Sequence, residues 1–374
     1  MLPEIIDLRE KTDVEEASSI CVDALRRGKL AVFPTETVYG LAALASNAEA
    51  VGRLITQKGR RPGQALTLAI SSTNEMLEYV PDASSLARRF ARLFWPGPLT
   101  LVLDASTSND KLRSLPEDSL KAIVPSSTVG FRVPRDSFLL RVLSKLREPI
   151  VLTSANYAGK APAASGFEVR KALGDLPDLI VDAGKSTLGA PSTVVLVKGN
   201  HWKILRQGSI TETAISEASV KTIAFVCSGN TCRSPLAEVI CKNELANQLN
   251  ADPNELEARG YRVLSAGVAA QDSSPASPPA LRIASELNLP SLANHRARTL
   301  DAKLAREADA IYVMSSSHLE RVLDRFPNLQ GRARLLCADG SDISDPFGAT
   351  DEIYRACAEQ IRRQIHLRLP EMLG

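Results

Sequence analysis

The sequence lacks the features that define several large classes of protein. No apolar run approaches the ~20 residues of a membrane span, and the first twenty residues hold several acids but no apolar signal-peptide segment. The formal net charge is only +2, which gives no broad basic surface for nucleic acid. The six cysteines are dispersed, unlike those of a disulfide framework. We therefore expect a globular protein of the reducing cytoplasm, without membrane association.

The length of 374 residues is too great for one ordinary core, so two domains are expected. Strand and helix signals alternate in both halves, which predicts two α/β domains. The small, polar segment 211–220 predicts a linker between a first domain over 1–210 and a second over 221–374. In the first domain the predicted strands are 30–33, 66–70, 99–103, 130–133, 150–153 and 193–197, and the predicted helices are 17–25, 86–94 and 138–146.

Residues 225–238 combine a nucleophile, an anion cradle and a helix start, and read Phe-Val-Cys-Ser-Gly-Asn-Thr-Cys-Arg-Ser-Pro-Leu-Ala-Glu. The thiol of Cys227 can attack a phosphoryl group, and Arg233 can hold two of its oxygens in a bidentate fork. The apolar run 222–226 predicts a buried parallel strand before the loop. Ser234 is the predicted N-cap of the next helix, whose N-terminus favours an anion and a thiolate. An inert cysteine in an ordinary strand–helix turn is the alternative.

Together with segments further along the chain, this stretch resembles the low-molecular-weight protein phosphatase family from about residue 221 to the C-terminus. Those segments are Ser265-Ala266-Gly267, 294–298, 308–314 and Asp345-Pro346-Phe347-Gly348. The resemblance implies a three-layer α/β domain with a parallel sheet. It also implies a phosphate-binding loop made of Cys227, Ser228, Gly229, Asn230, Thr231, Cys232 and Arg233. Family members often have a second loop cysteine, here Cys232, for which a redox role and a merely tolerated small residue both stay open.

The same resemblance implies a role for each catalytic residue. Cys227 is the nucleophile that forms a phosphocysteine intermediate, and Arg233 binds the phosphate and stabilises the transition state. Ser234 hydrogen-bonds the thiolate, while Asn230, a residue type that tolerates positive φ, holds the loop. Asp345 protonates the leaving group and then activates water.

Three positions bear on which phosphoprotein the second domain would act on. Thr231, Ser315 and Phe347 stand where tyrosine-specific members usually have a bulkier aliphatic residue, Asp and Tyr, respectively. The residues at these three positions resemble those of the protein-arginine phosphatase branch. A substrate guanidinium needs polar contacts in the binding pocket, which such residues supply. A protein-tyrosine phosphatase is the alternative. Arsenate reductase is disfavoured, because Cys337 has no cysteine near it.

Polar groups near predicted strand ends and a cluster of cations carry the chemistry of the first domain. They are Thr35 and Glu36, Lys58, Arg60 and Arg61, Ser154 and Asn156, Ser192, and Arg206. Short polar donors at strand ends and paired cations fit a cavity for a polyphosphate. Taken singly, each has a plainer reading as a turn residue or as part of a solvated charge cluster.

In this order the segments resemble the YrdC-like threonylcarbamoyl-AMP synthases over about residues 12–210, which implies a twisted mixed-sheet α/β domain. That family combines L-threonine, bicarbonate and ATP into threonylcarbamoyl-adenylate and pyrophosphate. The product feeds the threonylcarbamoyl modification of an adenosine in tRNA. The resemblance thus implies ATP as a substrate, with Mg²⁺ on its triphosphate, and an indirect link to tRNA-modifying machinery; no side chain is assigned to a protein-bound metal.

This second resemblance also assigns residues to roles. Thr35 and Arg132 bind threonine, and Ser192 and Arg206 contact substrate or nucleotide. An active-site tetrad around phosphate and carbamate consists of Lys58, Arg60, Ser154 and Asn156. The chain departs from the family at Ala65, where a proline is usual, which bears on affinity. A non-catalytic RNA- or nucleotide-binding module is the alternative, and the intact tetrad argues against it.

Overall fold

The computed structural model describes residues 2–61, 63–106, 110–157 and 159–374. The chain divides into two compact units, one that ends at Glu217 and one over Ala218–Gly374. Within the described ranges no helix is both long and apolar enough to cross a membrane.

The first unit is built on one mixed sheet of ten strands, as far as the chain is described. The strands are β1 (Glu4–Asp7), β2 (Ala31–Phe33), β3 (Gly40–Leu44), β4 (Thr67–Ala69), β5 (Leu99–Asp104), β6 (Thr128–Arg132), β7 (Ile150–Ser154), β8 (Leu179–Asp182), β9 (Thr193–Lys198) and β10 (His201–Arg206). Their order is β1-β8-β2-β3-β7-β4-β6-β5-β9-β10. Parallel pairs such as β4 with β6 alternate with antiparallel pairs such as β4 with β7. The predicted mixed-sheet α/β class is confirmed.

Helices connect these strands. They are α1 (Val14–Arg26), α2 (Ala48–Lys58), α3 (Thr73–Tyr79), α4 (Ser85–Phe94), α5 (Asp110–Arg113), α6 (Glu117–Ile123), α7 (Ser137–Leu146), α8 (Gly166–Leu173) and α9 (Glu212–Ser219). The apolar faces of α1 and α7 pack against the sheet in one core cluster. Helix α2 begins at the N-cap Asn47 and ends at Gly59, whose φ of 67° is left-handed. This ending places Lys58 on the last turn and Arg60 just beyond it.

The segment 211–220, predicted as a linker, contains helix α9. The Thr211 hydroxyl accepts a hydrogen bond from the Ala214 amide at the start of this helix. The Ile215 side chain is fully buried. One apolar anchor and one capping hydroxyl therefore order a stretch whose composition is otherwise small and polar.

The second unit contains a parallel sheet of four strands in the order β12-β11-β13-β14. The strands are β11 (Lys221–Cys227), β12 (Tyr261–Gly267), β13 (Ala310–Val313) and β14 (Ala333–Leu335). The helices are α10 (Arg233–Leu249), α11 (Pro278–Glu286), α12 (Ala302–Glu307), α13 (Ser316–Arg325) and α14 (Asp351–Leu373), with short 3₁₀ turns at Pro253–Glu255 and Pro327–Leu329. One core cluster joins α10, α11 and α14 to one face of the sheet, and a second joins α12 and α13 to the other. This is the predicted three-layer α/β arrangement.

Helix α10 starts two residues earlier than predicted. Its first residue is Arg233, and Cys232 occupies the N-cap position without a side-chain hydrogen bond to the helix. The prediction that Ser234 is the N-cap is therefore wrong. The reason is that the Ser234 hydroxyl is engaged by the side chain of Cys227, as described below.

Candidate active sites

A cavity of about 350 Å³ lies over the sheet of the first unit. Five of the predicted site residues line it: Thr35, Arg132, Ser154, Ser192 and Arg206. The floor of the cavity consists of the adjacent strands β7, β4, β6 and β5. Each of these strands contributes one threonine to the cavity lining. These hydroxyl-bearing residues are Thr153, Thr67, Thr128 and Thr100. Sequence reasoning missed most of them, although threonines within predicted strands were a visible signal.

Two of the predicted cations meet at the β7 end of the cavity. The Lys58 ammonium donates hydrogen bonds to Thr153 Oγ1 at 2.7 Å and to the Ser154 carbonyl. The Arg60 guanidinium donates to the same Thr153 oxygen at 2.8 Å. Lys58 is only 4% exposed. Burial, helped by the positive charge of Arg60, lowers the Lys58 pKa to about 7, and burial also lowers the Arg60 pKa.

The predicted threonine-binding residues belong to a buried polar network. The Arg132 guanidinium forms an ion pair with Glu36 at 2.8 Å and donates to Thr37 Oγ1 at 2.8 Å. The Thr35 hydroxyl donates to the Val38 carbonyl at 2.7 Å and lies 2.8 Å from the Thr37 hydroxyl. Glu36 therefore neutralises Arg132 and fixes its position, a partner that was noted in the sequence but given no role.

Ser192 and Arg206 meet at the other side of the cavity. The Arg206 guanidinium donates to the Ser192 carbonyl at 2.9 Å and to its hydroxyl at 3.1 Å. The same hydroxyl lies 2.9 Å from that of Thr100. Burial, and then the nearby charge of Arg132, lowers the Arg206 pKa. Arg132 and Arg206 line the cavity, and Lys58 and Arg60 are bonded to its edge at Thr153. These cations outnumber the nearby carboxylate of Glu36 and favour an anionic ligand.

Of the predicted tetrad, Ser154 lines the cavity, Lys58 and Arg60 bond to the lining residue Thr153, and Asn156 lies in the loop beyond β7. The Asn156 amide nitrogen donates to the Tyr157 carbonyl at 3.0 Å and to the Lys160 carbonyl. Its Oδ1 is a buried oxygen without a hydrogen-bond partner. Asn156 thus holds the loop that follows β7, and its free acceptor is available to a ligand.

The second site lies where β11 ends and α10 begins. Asn230 has a left-handed φ of 55°, as predicted for the tight loop. A Cβ on Gly267 would lie 2.4 Å from the Ser228 carbonyl and 3.1 Å from the Asn230 amide. Only glycine therefore allows β12 to approach this loop so closely. The loop is also fixed by His295, whose Nε2 lies 2.7 Å from the Asn230 carbonyl.

A buried hydrogen-bond network holds the candidate nucleophile. The Cys227 sulfur lies 3.0 Å from the Ser234 hydroxyl, which in turn is within reach of the Ala266 carbonyl at 3.2 Å. The Asn230 amide donates at 2.9 Å to Ser234 and at 2.9 Å to Ser265. The Ser234 hydroxyl can therefore donate to an ionised sulfur while Asn230 keeps it in place.

Arg233 and Asp345 also meet at this loop, although they are far apart in sequence. The Arg233 guanidinium, 6% exposed, donates to Asp345 Oδ2 at 2.6 Å and to the Ile343 carbonyl at 3.3 Å. The Asp345 side chain is about half exposed. A carboxylate held beside the candidate phosphate-binding cation, yet open to solvent, suits a group that exchanges a proton with a bound substrate.

The other loop side chains have ordered partners. Cys232 is a free thiol, with the Tyr354 hydroxyl 3.1 Å from its sulfur and the Ser277 hydroxyl at 3.3 Å. Burial, and then this contact with Cys232, raises the Tyr354 pKa to about 12. Thr231 Oγ1 lies 3.6 Å from the same sulfur. Ser228 contacts His318, a residue that sequence reasoning missed.

Two family models match the chain, one for each unit. A model described as telomere recombination, of the Sua5/YciO/YrdC type, matches residues 23–208. A model described as low molecular weight phosphotyrosine protein phosphatase matches residues 222–371. The second match confirms that the resemblance around Cys227 extends through a phosphatase domain.

Relatives extend these matches. The chain is 32% identical over 235 residues to a threonylcarbamoyl-AMP synthase of Pyrococcus abyssi. This match covers 62% of this chain and 66% of that protein, so the chain spans just under two thirds of that relative's length. It is 35% identical over 199 residues to a putative threonylcarbamoyl-AMP synthase of Mycobacterium tuberculosis, across 52% of this chain and 86% of that protein. A solved arginine phosphatase of Geobacillus stearothermophilus is 32% identical and overlaps 41% of this chain and 92% of its own, with a TM-score of 0.35.

Proposed function

This chain belongs to the threonylcarbamoyl-AMP synthase family, and from that premise we propose that it joins two enzymes in one polypeptide. The first unit forms threonylcarbamoyl-adenylate from L-threonine, bicarbonate and ATP, for later use in tRNA modification. The second unit, a low-molecular-weight phosphatase domain, dephosphorylates a phosphoprotein, with phosphoarginine as its preferred substrate. We assign the chain to the cytoplasm, since ATP is found there and all six cysteines are free thiols.

The convergence of Lys58 and Arg60 on the β7 end of the cavity is the observation that supports the synthase. To form an adenylate, an oxygen of N-carboxythreonine must attack the α-phosphorus of ATP while pyrophosphate leaves. Negative charge accumulates on the leaving pyrophosphate, and buried cations stabilise it strongly because little water screens them. We assign the carboxylate of threonine to Arg132, whose position is fixed by its ion pair with Glu36.

Mg²⁺ is proposed to accompany the triphosphate rather than to occupy a protein site. Within the described ranges, no three His, Cys, Asp or Glu side chains converge on a common point. In nucleotide enzymes, substrate phosphates and water supply most ligands of Mg²⁺.

The direct test of the synthase is a pyrophosphate-release assay on the full chain. We expect release to require threonine, bicarbonate, ATP and Mg²⁺ together, with threonylcarbamoyl-adenylate identified by mass spectrometry. Omission of bicarbonate serves as the matched control, because simple amino-acid activation would not need it. No release with all four present would overturn the synthase assignment and favour a nucleotide-binding module.

For the phosphatase, the arrangement around Cys227 supports a two-step displacement. The thiolate attacks phosphorus in line, and Arg233 and the loop amides receive the charge of the phosphoryl oxygens. Asp345 gives its proton to the leaving atom, and the resulting carboxylate then takes a proton from the water that hydrolyses phosphocysteine. The 2.6 Å contact between Arg233 and Asp345 must open or shift to admit a phosphoryl group.

Polar pocket residues support phosphoarginine over phosphotyrosine. Thr231 offers a hydroxyl where an aliphatic side chain would suit a phenyl ring. Ser315 is the N-cap of α13, and its side chain adds no negative charge to the site. Phosphotyrosine remains the competing substrate, and hydrolysis rates on phosphoarginine and phosphotyrosine peptides of equal sequence decide between them.

We expect the Asp345→Asn variant to lose acid catalysis selectively. An amide cannot protonate a leaving group, so kcat on a phosphoarginine peptide should fall by about 10²- to 10⁴-fold. Hydrolysis of p-nitrophenyl phosphate should fall much less, because nitrophenolate leaves without help. Asp339→Asn is the matched control and should retain activity, because Asp339 is an exposed carboxylate that accepts hydrogen bonds from Ser341. Equal losses on both substrates would contradict the role of Asp345 as acid.

A further inference from the structure

A chain of three side chains connects the start of α13 to the residue that follows the nucleophile. The Ser315 hydroxyl lies 2.8 Å from His318 Nδ1. The other ring nitrogen, His318 Nε2, lies 2.8 Å from the hydroxyl of Ser228. The imidazole is 4% exposed, and Ser315 is 7% exposed. The Ser228 hydroxyl at the phosphate loop is thus fixed by the buried His318 ring. The ring is in turn fixed by Ser315, the N-cap of α13.

The ring is neutral at the pH of cells. Burial, and then the positive charge of Arg233, lowers the His318 pKa to about 4. A neutral imidazole donates from one nitrogen and accepts at the other, so it orders the two hydroxyls in a single direction. The charge of Asp345 acts on the ring in the opposite direction to that of Arg233.

Ser228 is the solvent-facing end of this chain. It is exposed, unlike Cys227 before it, so its hydroxyl lies at the rim of the phosphate loop. The Ser228 hydroxyl has two lone pairs and one proton, and His318 uses only one of these. A hydrogen-bonding position on the Ser228 hydroxyl therefore remains open to a ligand.

We propose that Ser228 is a specificity-determining residue that accepts an N–H hydrogen bond from the guanidino group of the substrate, with His318 and Ser315 as positioning residues. This rests on the proposed phosphoarginine activity. A phosphorylated guanidino group presents several N–H donors next to phosphorus, whereas a phosphorylated phenol presents none. A fixed acceptor gains a hydrogen-bond partner from the phosphorylated guanidino group. The phosphorylated phenol removes water from the same acceptor and offers no hydrogen bond in return.

The test compares a phosphoarginine peptide with p-nitrophenyl phosphate in Ser228→Ala, Ser228→Thr and His318→Leu. We expect kcat/KM on phosphoarginine to fall about tenfold in Ser228→Ala, the effect of one hydrogen bond to a charged group. The ratio of kcat/KM on phosphoarginine to kcat/KM on the aryl phosphate should fall by the same factor, because a general disturbance of the loop would lower both rates together. Ser228→Thr keeps the hydroxyl and should restore phosphoarginine activity, while His318→Leu should behave like Ser228→Ala.

Ser317→Ala is the matched control, because Ser317 is exposed and reaches Ser315, at 3.0 Å, but not Ser228. Equal losses on both substrates in Ser228→Ala would overturn the proposal and leave Ser228 a purely structural residue. Unchanged rates on both would also overturn it. A wild-type chain that hydrolyses the aryl phosphate and rejects phosphoarginine would instead refute the proposed substrate, a result distinct from either failure.

Discussion

Replacement of Cys227 by serine should abolish dephosphorylation and leave adenylate formation intact. A serine hydroxyl is far less acidic than a thiol, and the neighbouring Ser234 and Asn230 side chains offer hydrogen bonds rather than proton acceptance. We therefore expect kcat on any phosphorylated substrate to fall by roughly 10⁴-fold or more. Pyrophosphate release in the presence of threonine and bicarbonate should remain within about twofold, because the loop and the Lys58 cavity belong to separate compact units.

Cys337→Ser is the matched control for loss of a thiol. Cys337 is buried in the same unit, and its side chain can reach the hydroxyl of Ser341, so serine is tolerable there. This variant should keep both activities. Loss of both activities in Cys227→Ser would contradict the assignment of two independent sites. Retained dephosphorylation would contradict the phosphocysteine mechanism.

The phosphate loop was predictable because its geometry is local. Strand, loop and helix follow one another without interruption from 221 to 249, and the positive φ of Asn230 follows from its residue type and position. The N-cap at Ser234 was wrong for a non-local reason. A capping rule sees a serine before a proline, but it cannot see that Cys227 and Ala266 compete for the same hydroxyl.

The first site could be predicted as a set of residues but not as an arrangement. Lys58 and Thr153 are 95 positions apart, and Glu36 and Arg132 are 96 apart, so no local pattern pairs them. The strand order, in which β4 lies between β6 and β7, depends on long-range packing in the same way. The strands β1, β3, β8 and β10 were missed. Alternation is a weak signal in β1 and β8, which have four residues each, and in β10 at the end of the sheet. Strand β3 is buried at all five positions, so no alternation marks it.

Replacement of Lys58 by methionine should abolish adenylate formation and spare dephosphorylation. Methionine keeps an unbranched stem in the buried site and removes the charge that points toward Thr153 and Ser154. Loss of one preorganised donor in a site shielded from water typically reduces kcat by about 10²- to 10³-fold. Arg61→Ala is the matched control, because Arg61 is an exposed cation three residues further along the chain. It should leave pyrophosphate release nearly unchanged.

The charge on Lys58 should also make ATP binding depend on pH. With a pKa of about 7 in the free chain, the amine is mostly charged at pH 6 and mostly neutral at pH 8. A bound triphosphate stabilises the ammonium, so binding takes up a proton above pH 7, and the Kd for ATP should rise by up to about tenfold per pH unit there. Calorimetric titration of ATP between pH 6 and 8.5 measures this slope. The same slope in Lys58→Met, where only the nucleotide titrates, would show that Lys58 does not bind the triphosphate as a cation.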